Sequence, residues 1–237
     1  MSNIRKIIKE QIETLIQEGR FDKFVGDIVR DIWMCVMDSK HSRKKTETYS
    51  FKYKEPLVFN SFVQITREKN DETAYAVKGM KIVSKKILVF LVLITSPDRK
   101  KEQEVYNDVY MQLQSVVRHE LEHLVQQKGT NNIKGRVSPI SHKERLEKEG
   151  TYLNFVSKDE LPAYVAGIYR RAKMERKPFD EVAKEYLSQY ISNENVVVDL
   201  TDDEDDFNIS DAEGEIVLNT WIEYARKNYP SVWISTD

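Results

Sequence analysis

The segment Val116-Val117-Arg118-His119-Glu120-Leu121-Glu122-His123-Leu124 constrains this chain more than any other, because its H-E-x-x-H spacing makes chemical sense only on a helix. Successive residues of an α-helix turn by about 100°, so positions four apart share a face, about one turn apart. His119 and His123 then present two imidazole nitrogens to one point, the usual first half of a zinc site. Glu120 is rotated to the flank of that pair, where its carboxylate meets a water rather than the ion, as a general base must. The competing account is a solvated helix face with idle histidines. Only four histidines occur in the 237 residues, and two of them stand here in register, which favours the chemical account.

Composition narrows the setting. With 40% apolar and 32% charged residues, the chain reads as a soluble globular protein long enough for a sizeable core. A net charge of −2 gives no reason to expect a nucleic-acid partner. The single cysteine, Cys35, excludes an intrachain disulfide and fits a reducing compartment. It lies among Ile28, Ile32 and Val36 at helical spacing, so a buried thiol is expected rather than a nucleophile. The N-terminal residues lack a signal-peptide core, and the longest apolar run, Ile87 to Ile94, is too short to span a membrane. The expectation is a cytoplasmic protein with no membrane partner.

The fold class expected is α+β. Ile4, Ile7, Ile8, Ile12, Leu15 and Ile16 recur at three- and four-residue steps, with Gly19 placed to end the helix they imply. A second helix over Asp22 to Met37 would complete an N-terminal helical hairpin. From Tyr49 to Thr95 the period shortens to two, and four runs read as a mostly antiparallel sheet of about four strands. Breaks are expected at Glu55-Pro56, Lys69-Asn70-Asp71 and Lys78-Gly79. The run Ile87–Ile94 is apolar on both faces, so it belongs inside the sheet, covered on both sides. A long helix over residues 101–127 follows, burying Val109, Leu113, Val116, Val117, Leu121, Leu124 and Val125, with Arg118 and Glu122 on its solvated side and Gly129 at its end. His41 reads as a loop residue and no ligand.

Beyond a polar stretch at 129–150, a helix starts near Ser157 or Asp159, with Pro162 tolerated in its first turn. Glu160, Ala163, Tyr164 and Gly167 share one of its faces. The small residues permit close approach to another helix, by which a carboxylate could reach an ion held there. Ser157-x-x-Glu160 is also a capping-box pattern, in which the glutamate closes its own helix start, but the first-turn proline and the Ala/Gly face favour the metal role. A third helix is expected over Phe179 to Ile191, then a strand-like Val196-Val197-Val198. The acidic tract Asp199 to Asp206 lacks calcium-loop spacing and reads as a solvated linker. The expected organisation is a domain over 1–198, an acidic linker over 199–210, and a C-terminal helix within 211–237 docking on the body.

His119-Glu120-Leu121-Glu122-His123 with a downstream glutamate on a second helix resembles the gluzincin branch of zinc metallopeptidases. The element order over roughly residues 50–175 is similar to the small single-domain, zincin-like members found among bacterial and phage proteins. The histidine-ligand branch requires H-E-x-x-H-x-x-G-x-x-H, and Gln126 and Gly129 stand where that pattern needs glycine and histidine. The resemblance implies Zn2+ held by His119, His123 and Glu160, with Glu120 as general base and a protein or peptide substrate pairing with a strand beside the cleft. It also implies a donor for the developing oxyanion, Tyr152 first, then Tyr164 or His142. Some gluzincins carry an aspartate one turn after the glutamate; Tyr164 occupies that position here. A non-catalytic binding or virion-associated protein of the same fold, and a helical interaction protein with an accidental motif, are the alternatives.

Overall fold

Two different hydrophobic patterns, one of period two and one of period 3.6, build two packed cores in this computed structural model, which describes residues 2–42, 44–54, 57–82, 86–129, 152–158, 160–191 and 209–235. The expected strand-like run at 196–198, the acidic linker at 199–206 and His142 lie outside the described residues.

The chain opens with one helix, α1 (Ser2–Ser39), and not with a hairpin. Gly19 sits inside it. An interior glycine costs a helix only about 1 kcal/mol relative to alanine, too little to force a turn where nothing else breaks the backbone. Its second half does bury the expected face: Val25, Ile28, Val29, Ile32 and Val36 are inaccessible, and Cys35 is buried beside them. Burial and the nearby Asp38 and Asp31 carboxylates push the Cys35 thiol up to about 11. Arg67, from the second strand, donates to the Val36 carbonyl at 2.6 Å and to Ser39 Oγ at 3.1 Å, fastening the end of α1 to the sheet.

Strands β1 (Thr46–Tyr53), β2 (Phe59–Lys69), β3 (Ala74–Ile82) and β4 (Ile87–Ser96) form a four-stranded sheet in the order β1-β2-β4-β3. The sheet is mixed, correcting the mostly antiparallel expectation: β1/β2 and β3/β4 are antiparallel, whereas β2 and β4 run parallel. Hydrophobicity explains the insertion. β4 is the most apolar strand and takes an interior place, while β3, which carries Lys78 and Lys81, is displaced to the edge. Leu88, Phe90, Val92 and Ile94 of β4 all point into the core they share with α1 and with Val109, Leu113, Val117, Leu121 and Leu124. Gly79 is no turn residue either: β3 runs straight through it.

Asp98 caps a short helix, α2 (Arg99–Glu102), accepting from the amides of Lys100 and Lys101 at 2.8 and 2.9 Å. After a 3-10 turn, α3 (Tyr106–Gly129) lies across the sheet. Val109, Leu113, Val117, Leu121 and Leu124 form its buried stripe as expected; Val125 is exposed instead.

The second core is helical. It comprises α4 (Tyr152–Phe155), α5 (Leu161–Glu175), α6 (Phe179–Ile191) and α7 (Asp211–Asn228), packed around Phe155, Ile168, Phe179, Leu187 and Trp221. A capping box between Ser210 and Glu213 starts α7. Trp221 anchors α7, its indole N–H donating to the Phe155 carbonyl at 2.9 Å. No described helix is long and apolar enough to cross a membrane.

Candidate metal centre

The two cores meet along α3 and α5, and the candidate centre lies on that seam. Close approach is possible because α5 carries no side chain at Gly167: a Cβ there would stand 2.8 Å from the Ser115 carbonyl and 3.4 Å from the His119 Cβ. The small-residue face read from the sequence is therefore the crossing point, and it places the start of α5 over the second half of α3.

Three side chains converge as a result. The Nε2 atoms of His119 and His123 are 3.2 Å apart, and Glu160 Oε2 lies 3.5 Å from the first and 3.4 Å from the second. Four ligands at about 2.05 Å around a tetrahedral ion stand about 3.3 Å from one another, so the three separations are those of a small tetrahedral shell. Two imidazoles and one carboxylate are a donor set able to hold a metal ion. Burial raises the Glu160 carboxyl, but hydrogen bonding to both histidines and their charge outweigh it and hold the group well below the usual carboxylate range. It is an anion at neutral pH, as a ligand must be.

The two sequence roles for Glu160 resolve by atom. Its backbone N–H donates to Ser157 Oγ at 3.3 Å, while its carboxylate makes no capping bond to the helix and turns to the imidazoles. Glu160 is the N-cap of α5, with Pro162 in the first turn, where its missing N–H costs no helical bond.

Glu120 points elsewhere. It is 7% exposed, and its side chain fills the space above Gly79 on the edge strand: a Cβ at that position would meet Glu120 Cγ at 2.5 Å and Oε1 at 2.9 Å. Helical rotation carries Glu120 off the face of the two imidazoles, and here its side chain lies against β3. A glycine inside a strand marks close approach, and Gly79, which sequence reading assigned to a turn, is where Glu120 meets β3.

The tyrosines divide. Tyr152 packs half-buried against the second core, and among the described residues it makes no hydrogen bond or ring contact with His119, His123 or Glu160. Tyr164 does touch the centre, its ring in a T-shaped contact with His119, centroids 4.8 Å apart. Burial, with Tyr190 and the Glu160 and Glu120 carboxylates nearby, pushes its phenol well above the ordinary value, so it stays protonated. His41 is exposed, as expected of a loop residue. Arg118 and Glu122 are not on a solvated side: they pair at 2.6 Å, and the Arg118 guanidinium lies 4.6 Å over the Phe21 ring of α1.

No family model matches the chain, and neither a curated protein nor a solved structure does.

Proposed function

We propose that this protein is a zinc-dependent peptidase that works in the manner of gluzincins, with His119, His123 and Glu160 holding the metal. The observation that carries the reading is the 3.2–3.5 Å triangle formed by two imidazole nitrogens and a carboxylate oxygen from separate segments. When bound, zinc supplies Lewis acidity, polarising a carbonyl oxygen and bringing the pKa of water down to about 7.

The remaining work belongs to the chain. Glu120, adjacent in sequence to one ligand and held against Gly79, takes the proton of the attacking water and passes it to the leaving amine. β3 offers the substrate a place: it is an edge strand of the sheet that the described residues form, and Gly79 puts its backbone directly beside the proposed base. An extended peptide added there as a further strand has its scissile bond near Glu120. Tyr152, whose hydroxyl has no hydrogen-bond partner among the described residues, is the proposed oxyanion donor.

Metal analysis of the purified protein, paired with cleavage of an unstructured protein substrate, tests the reading. Expected are one zinc per chain, its loss in His123→Ala, and an activity drop of about a hundredfold or more in Glu120→Gln with zinc retained. Undiminished proteolysis by Glu120→Gln refutes the assigned base. A protein that binds no zinc refutes the whole proposal.

A further inference from the structure

A ligand imidazole needs its ring plane fixed, and the common device is a hydrogen bond from its second nitrogen to a carboxylate or carbonyl. His119 lacks that device among the described residues, where its only polar contacts are with His123 and Glu160 through Nε2. What bears on its ring is Tyr164, in a T-shaped contact at an interplanar angle of 69°. That tyrosine is itself fixed. It stacks on Trp221 at 5.4 Å and 22°, and meets Phe155 at 5.2 Å. Trp221 is fully buried and tied by its indole N–H to the Phe155 carbonyl. A continuous aromatic train thus runs from α7 through α5 to a candidate ligand on α3.

We propose that Tyr164 is a positioning residue, whose ring, backed by Trp221, holds the His119 imidazole in its metal-binding orientation where a hydrogen-bonded acceptor would ordinarily do so. The inference rests on the metal-site reading above. Its physical content is that ring shape, and not the phenol hydroxyl, does the positioning. A T-shaped contact restrains the plane of the imidazole by shape and needs no lone-pair acceptor. It also makes the C-terminal helix part of the centre's support.

Zinc affinity of the full chain, measured by competition with a chromophoric chelator, separates the possibilities. Tyr164→Phe keeps the ring and is expected to bind zinc within about twofold of the unsubstituted protein. Tyr164→Leu keeps bulk without a ring and is expected to bind about ten- to a hundredfold more weakly, the range for loss of a group supporting a ligand. Tyr190→Leu is the control. It lies in the same aromatic cluster, packed on Phe155 and Tyr186, so it lowers the melting temperature without touching His119. Its affinity should be unchanged. With Co2+ as a spectroscopic probe, Tyr164→Leu alone should alter the visible ligand-field bands. Equal weakening by Tyr164→Phe and Tyr164→Leu, or by Tyr190→Leu, overturns the inference. Tight binding by Tyr164→Leu overturns it while leaving the metal site standing, whereas no zinc binding by the unsubstituted protein removes both.

Discussion

The two cores of this protein do different work. The first, between α1, the sheet and α3, is built largely on aliphatic residues arranged by simple periodicities, and it holds His119, Glu120 and His123 on one stiff helix. The second joins α4 to α7 and is centred on rings: Phe155, Tyr164, Tyr186, Tyr190 and Trp221 pack in one group. It contributes Glu160 and the contact that bears on His119. The lesson is that the candidate metal centre is local in two of its three residues and not in the third. The two imidazoles are fixed relative to each other by one helical turn, but the Glu160 carboxylate depends on how the second core docks against the first.

The largest stability effect should come from breaking the second core at its anchor. Trp221→Ala removes a fully buried ring and is expected to cost about 3–5 kcal/mol, read by chemical denaturation. Hydrogen exchange should then rise first in α6 and α7 amides, with β2 and β4 still protected. Simultaneous loss of protection everywhere would mean the two cores are one cooperative unit.

Gly167→Ala attacks the seam itself. The added methyl meets a backbone carbonyl at 2.8 Å, which cannot swing aside, so α5 must shift. Overpacking of about 1–3 kcal/mol is expected, offset by about 1 kcal/mol from better helix propensity. The sharper readout is zinc affinity, which should fall as Glu160 moves from the imidazoles. Gly79→Ala is the counterpart inside the first core. Its methyl collides with the Glu120 side chain and leaves the three ligands in place. Activity should therefore drop by about ten- to a hundredfold, as misplacement by an ångström does, while zinc binding holds. If the two glycine variants lose the same property, the division of labour between the cores is wrong.

The smallest effect concerns Cys35. Its folded pKa, about 11, lies above that of an exposed thiol, so the protonated form is favoured at neutral pH and the associated stability is lost only as pH rises past the unfolded value. A thiol reagent should leave Cys35 unmodified near pH 8 until denaturant opens α1. Prompt modification of native protein would show that the first core is looser than its burial implies.

Much of this was legible in the chain. The stripe on α3, the helix over Phe179–Ile191, the C-terminal helix and the interior place of β4 follow from hydrophobic period and run length. Periodicity is a local property, and local properties survive reading one residue after another. Glycine was where reading failed. Gly19 looked like a helix end and Gly79 like a turn, yet neither breaks its element. A glycine that ends an element and one that makes room for a neighbour are identical in sequence; only the neighbour distinguishes them.

By itself the sequence determined that two imidazoles and a carboxylate would ride one helix at fixed angles, because the α-helical repeat leaves those angles no freedom. It also offered Glu160 two partners, its own backbone or a distant ion site, and the first-turn proline and the Ala/Gly face favoured the second. The tertiary structure turns the carboxylate to the imidazoles. Gly167 let α5 approach α3 closely enough for the carboxylate to lie 3.4–3.5 Å from both imidazoles, where opposite charge and buried surroundings favour that contact over the helix start. That β4 runs parallel to β2, leaving β3 at the edge beside Glu120, was likewise a tertiary outcome, because strand direction leaves no mark on the hydrophobic pattern.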